Sequence, residues 1–242
     1  MSREGVSRKE NAMVRKQMGR REMLAALGAA GATVALGCND SPTAATADTT
    51  GTTTSTNGSC AVTPTETLGP FPSLTDLFRA DVREGKPGTP LTLTFKVVNA
   101  SSACAAVANA NVEIWHVDAA GNYSEYGSEA SQTFLRGIQT TNANGDVTFT
   151  TNYPGWYQGR ATHIHVEVTM NGRSVKVTQI AFPESINNAV HSQGAYVTGR
   201  GTNPISNSSD GIFADSLSAE LVVPTGDATN GYVASAQIAV AL

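Results

Sequence analysis

The sequence predicts an all-β domain, a β-sandwich, over residues 60–242. Three observations carry the prediction. The apolar positions of this region recur with period two, its helical signals are short, and Gly, Asn and Pro fall between the alternating runs. Taken in order, Leu91, Leu93, Phe95 and Val97 alternate with Thr92, Thr94 and Lys96. Val112, Ile114 and His116 alternate with Glu113, Trp115 and Val117. Val147 and Phe149 flank Thr148 after the turn Asn142–Asp146, and Ile164, Val166 and Val168 alternate with His163, His165 and Glu167. Runs at 175–182 and 232–240 complete the set, and Asn171-Gly172 between two runs signals a tight hairpin. Short helical turns are expected at 74–80 and 185–191. Several short strands with turn residues between them are the pattern of a sandwich.

The residues before this domain have a different character. Residues 1–37 hold seven of the sixteen Lys and Arg and three of the twenty acids, so the remainder carries nine basic against seventeen acidic residues, a charge of −8. An acidic body without a basic stripe argues against nucleic acid as a partner. Arg15, Lys16, Arg20 and Arg21 form a basic head before a short Ala/Gly-rich apolar run at 23–36, the form of an export signal. The Arg20-Arg21 pair resembles a twin-arginine signal, with an ordinary Sec signal as the alternative. Gly37-Cys38 resembles a lipoprotein cleavage site, which would place a lipid anchor on Cys38. Residues 38–59 follow as a linker: eleven of the twenty-one residues 39–59 are Ser or Thr and none is large and apolar, so a disordered tether is expected. An exported, periplasmic or cell-envelope location follows. With Cys38 set aside, Cys60 and Cys104 remain as a disulfide pair, as suits an oxidising compartment.

Two of the four His are His163 and His165. On a strand, positions i and i+2 share a face, and Ile164, Val166 and Val168 claim the other face for the core. Two imidazoles side by side can share one metal ion. Two His on a solvated strand face is the ordinary occurrence of such a pair, so the neighbours decide. Tyr157 and Arg160 follow a Pro154-Gly155 turn just before the pair, and Tyr123 sits in a Gly turn after the strand that ends at Trp115.

These segments, in order, resemble the intradiol ring-cleavage dioxygenase family, of the protocatechuate type or its exported relatives. The matching runs are Trp115-His-Val-Asp118-Ala-Ala-Gly121-Asn-Tyr123, Phe134-Leu-Arg136-Gly137-Ile-Gln139, Pro154-Gly-Trp-Tyr157 and Arg160-Ala-Thr-His163-Ile-His165, with Gly69-Pro70-Phe71 before and Thr178-Gln179 after. The resemblance covers residues 60–242. It implies a mononuclear non-haem Fe(III) held by Tyr123, Tyr157, His163 and His165, a catechol-type substrate and O2, and a muconate-type dicarboxylic acid as product. It gives catalytic roles to Tyr157, which would leave the metal and take a proton, to Arg160, which would stabilise negative charge on the ring, and to Gln179, which would orient substrate or hydroxide. Two phenolates are hard anionic donors and favour ferric iron over zinc. His116 is expected as a satisfied side chain in the core or an interface and His191 in a loop, neither as a ligand. Tyr153 and Tyr126 are the alternatives to Tyr157 and Tyr123. A non-catalytic exported sandwich with a vestigial metal site, or a Cu or Zn site on the two His alone, are the competing readings.

Overall fold

Strand β1 (Pro90–Asn99) lies at the centre of one sheet, antiparallel to β2 (Ala105–Ala106) and β5 (Asp146–Asn152) on one side and parallel to β9 (Gly231–Val240) on the other. Strand β8 (Thr225–Asp227) borders β9. The second sheet has the order β4 (Arg136–Thr140), β3 (Asn111–Trp115), β6 (His163–Met170), β7 (Arg173–Ala181), all antiparallel. This computed structural model describes residues 60–242. The export signal expected at 1–37, the lipid site expected at Cys38 and the linker expected at 38–59 lie outside the described residues. No helix among the described residues is long and apolar enough to cross a membrane.

The period-two pattern is realised directly. Leu91, Leu93, Phe95, Val147, Phe149 and Ile238 of the first sheet share one buried core with Val112, Ile114, Ile164, Val166, Val168 and Ile180 of the second. The apolar face of each sheet is thereby removed from water against the other, which is the main stabilising term of a two-sheet fold. The odd positions of β3 and β6 (Glu113, Trp115, His163, His165, Glu167) then necessarily occupy the outer face of the second sheet. Asn171 and Gly172, at φ 51° and 73°, make the two-residue turn between β6 and β7, a backbone form that suits those two residues. Cys60 and Cys104 are joined in a disulfide, which ties the start of the described domain to the turn after β1.

Helix α1 (Glu184–His191) forms where a helical turn is expected. Two shorter helices, α2 (Gly194–Gly199) and α3 (Leu217–Glu220), follow it. The helical turn expected at 74–80 does not form. There, Ile138 N–H donates to Leu77 O (2.7 Å) and Arg79 N–H to Ile138 O (3.1 Å), so the segment extends along β4 and its backbone groups are satisfied by the sheet instead of by a helix. His191 also departs from expectation. It is fully buried at the end of α1, with Nε2 3.0 Å from Pro154 O, and is not in a loop. His116 is a core residue as expected: its Nδ1 lies 2.9 Å from Val117 O and its Nε2 2.8 Å from Thr151 Oγ1 of β5, so it links the two sheets.

Candidate metal centre

His163 and His165 open β6, and both are buried rather than solvated, at 3% and 1% exposure. Their Nε2 atoms lie 3.1 Å apart. His163 Nδ1 is 2.6 Å from Ala161 O, which fixes its proton on that nitrogen and leaves Nε2 as a lone-pair donor. His165 is registered between Trp115 of β3 and Gln179 of β7, and the Trp115 indole lies flat against its ring. Burial, reinforced by the Arg160 cation, pushes the His163 imidazolium pKa down to about 3. Burial, His163 and Arg160 hold that of His165 well below its usual value. Both rings are therefore neutral at ordinary pH, which is the ligating form.

The two tyrosines arrive on turns. Asp118, just after β3, accepts hydrogen bonds at Oδ1 from the N–H groups of Ala120 and Asn122, and its Oδ2 pairs with Lys86 Nζ at 2.7 Å. This closes the turn that presents Tyr123. The Tyr157 turn lies directly upon it: a Cβ at Gly155 would overlap the carbonyl oxygen of Asp118, and one at Gly121 the carbonyl oxygen of Trp156. Only glycine permits two backbones to approach so closely. As a result the Tyr123 and Tyr157 rings are 5.5 Å apart, Tyr157 is 5.6 Å from His163 and Tyr123 is 6.3 Å from His165, centroid to centroid.

The alternatives are placed elsewhere. Tyr153 is buried in the core, its hydroxyl donating to Asn187 Oδ1 (2.7 Å), and the Tyr126 hydroxyl donates to Pro72 O (2.7 Å). The Tyr123 hydroxyl is buried with no partner. Burial, and the neighbouring Tyr157, raise its pKa above the usual phenol range. A buried phenol without a partner calls for an ion or a water beside it. No three His, Cys, Asp or Glu side chains among the described residues converge as a metal site; this cluster offers two imidazoles and two phenols, a donor set that suits a hard, highly charged cation.

Arg160 adjoins the cluster. Its Nη2 donates to Gln179 Oε1 (2.7 Å) and its Nε to Asp210 Oδ2 (2.8 Å), while Gln179 Nε2 donates to Thr67 O (2.9 Å). Gln179 is thus engaged at both ends. Two supports were not assigned roles from the sequence. Arg136, fully buried, donates from Nε to Ser124 Oγ, from Nη2 to Ser124 O and from Nη1 to Phe71 O, and it pairs with Glu125 at 3.3 Å. Phe71 packs on Tyr123 and Tyr157, at 4.8 and 5.9 Å. Both residues fall inside the matched motifs, but their spacing does not disclose what they touch.

The dioxygenase family model matches residues 70–189. Among solved structures, the chain is similar to an intradiol ring-cleavage dioxygenase from Tetranychus urticae (TM-score 0.68, 28% identity, over 75% of this chain and 95% of that one). It is also similar to the dioxygenase domain of a dioxygenase carbohydrate-binding protein fusion from the cellulolytic bacterium Streptomyces sp. SirexAA-E (TM-score 0.54, 26% identity, over 75% and 99%). Catechol 1,2-dioxygenase from Pseudomonas arvilla C-1 shares the fold (TM-score 0.51, 21% identity, over 74% of this chain and 62% of that one). No curated protein sequence matches the chain.

Proposed function

The described domain belongs to the intradiol ring-cleavage dioxygenase family, and from that premise we propose that it cleaves catechol-type rings between the two hydroxylated carbons at a mononuclear Fe(III) held by Tyr123, Tyr157, His163 and His165. The observation that carries the reading is the convergence of two neutral, buried imidazoles and two phenols, one of which has no hydrogen-bond partner. When bound, ferric iron supplies the Lewis acidity and electron-accepting character that make a chelated catechol reactive toward O2. Both oxygen atoms end in the muconate-type dicarboxylic acid, so the reaction needs no external reductant.

The chain's own residues do the rest. His163 and His165 give neutral nitrogen donors whose orientation is fixed by Ala161 O and by the Trp115 ring. Tyr123 is the deeper phenol and Tyr157 the partly exposed one, so Tyr157 is the phenol free to swing aside and take up the proton that a catechol hydroxyl releases. Arg160 stabilises negative charge that develops on the ring, the preorganised electrostatic role that is worth most where water is excluded. Gln179 holds Arg160, and through Thr67 it holds the segment that leads to Phe71. Leu68, Phe71 and Tyr126 pack around the tyrosines and offer an apolar wall to an aromatic ring. Delivery across a membrane by the signal at 1–37, with a lipid on Cys38, belongs to the same proposal.

The test is iron-loaded protein against a panel of catechols, following O2 uptake and dicarboxylate formation together with the visible spectrum. A red-brown tyrosinate-to-iron band with stoichiometric O2 uptake is the expected result. Colourless, zinc-retaining protein that consumes no O2 would sink the proposal.

A further inference from the structure

Asp210 lies outside every sequence segment that points to the site. It follows the 3-10 turn Asn207–Ser209, fifty residues after Arg160, and its side chain is fully buried. Its carboxylate accepts three hydrogen bonds: at Oδ2 from Arg160 Nε (2.8 Å) and the Ala161 N–H (2.6 Å), and at Oδ1 from the Ile212 N–H (2.8 Å). A carboxylate is the only side chain of this size that offers acceptors alone at both oxygens. Burial opposes its ionisation, yet the bonds from Arg160, Ile212 and Ala161 hold it below the usual carboxylate range.

The Arg160 guanidinium is consequently held from three directions. Asp210 takes Nε, Gln179 takes Nη2, and the Phe213 ring lies 5.7 Å from its central carbon. Nη1 has no hydrogen-bond partner among the described residues. A cation on a flexible stem beside a metal centre would turn away toward solvent unless an opposite charge held it. A nearly buried Arg without its counter-ion is strongly disfavoured.

We propose that Asp210 is a positioning residue of the ring-cleavage site: with Gln179 it clamps Arg160 by two nitrogens and leaves the third free for negative charge on the substrate. The proposal rests on the dioxygenase reading for its substrate, but the clamp itself does not depend on turnover.

Asp210→Asn tests it at constant volume. The amide removes the counter-charge. With its NH2 toward Arg160 Nε–H and Ala161 N–H it accepts from neither, and with its NH2 toward Ile212 N–H it leaves Arg160 a neutral acceptor in place of a carboxylate, so the clamp is weakened either way. The measurements are iron content, visible band, kcat and KM for Asp210→Asn, for Arg160→Ala and for the double variant. Alongside them, the solvent-exchange rate of the Arg160 Nε–H is read by NMR, with its resonance assigned by loss in Arg160→Lys. The expected result is full iron and colour, kcat lowered about ten- to hundred-fold, a double variant no slower than Arg160→Ala alone, and fast exchange of Nε–H. Additive losses in the double variant, or Nε–H protection in Asp210→Asn equal to that of the wild type, overturn the proposal. If the wild type turns over no catechol, the dioxygenase reading falls, while Nε–H protection lost in Asp210→Asn still supports the clamp. Should Asp210→Asn fail to fold, Asp210→Glu, which keeps the charge and displaces it by one methylene, carries the same comparison.

Discussion

The Trp115 indole and the His165 imidazole are parallel to within 4°, with ring centroids 4.8 Å apart. Strand register puts them side by side on β3 and β6, and the stack fixes the tilt of an imidazole whose Nδ1 has no hydrogen bond. The contact also makes Trp115 a reporter. The protein has two tryptophans, so Trp156→Phe isolates its emission. Ferric iron added to metal-free Trp156→Phe protein is expected to quench that emission in step with growth of the visible band. Emission that stays constant through saturation would argue against His165 as a ligand.

Tyr157 and Tyr153 flank the same Pro-Gly turn but have opposite fates. Tyr157→Phe is expected to shift or weaken the visible band of iron-loaded protein and to slow turnover, because an anionic donor and a proton acceptor go with the hydroxyl. Tyr153→Phe should leave the spectrum intact and instead lower stability by about 1–2 kcal/mol, because Asn187 Oδ1 loses its buried donor. Absorption spectra and denaturant melts of the two variants decide the matter. Bleaching by Tyr153→Phe alone would reverse the assignment.

Arg136 binds the Tyr123 turn to the Phe71 segment through a fork of three nitrogens. Lysine keeps the charge but cannot reproduce the fork. Arg136→Lys is therefore expected to lower unfolding stability by about 3 kcal/mol and to weaken iron retention, as read by urea melts and by metal content after dialysis against a chelator. A variant as stable as the wild type, with full iron, would show that the turn holds without it.

His116 gives the fold an acid limit. Burial pushes its pKa from the ordinary 6.5 to about 4, so the folded protein keeps the ring neutral while the unfolded chain takes up a proton first. Stability is then fully present above about pH 6.5 and is lost as pH falls toward 4, by about 3 kcal/mol from this group. His116→Gln removes the titrating group. Its denaturation midpoint should change less between pH 7 and pH 4 than that of the wild type. Parallel pH profiles for the two proteins would exclude His116 as the source.

Much of this arrangement was legible in the sequence because it depends on period. The alternation of β1, β3, β5 and β6 separates core from outer face, and the same parity puts His163 beside His165 and His116 in the interior. The strand at 136–140 shows no alternation in the sequence because Ile138 is its only large apolar residue, and its partner segment at 77–80 has the pattern of a helical turn that pairing with the sheet overrides. Asp210 and Phe213 left no trace because nothing local marks them. They matter through contacts fifty residues distant, which only the path of the folded chain creates. The depth of Tyr123 relative to Tyr157 likewise depends on how two turns stack, not on their residues.

The parallel union of β1 with β9 bears on the order in which a nascent chain can assemble. The second sheet is complete once Ala181 has emerged from the ribosome, and with it the four proposed donors between Tyr123 and His165. Strand β1 must wait for Gly231–Val240, so one side of the first sheet stays open until late in synthesis. Pairings between such distant segments form slowly because loop closure comes first. During that interval the part of the core that β9 covers stays exposed, and a chaperone or an early-bound ion would meet a sandwich with one edge still open.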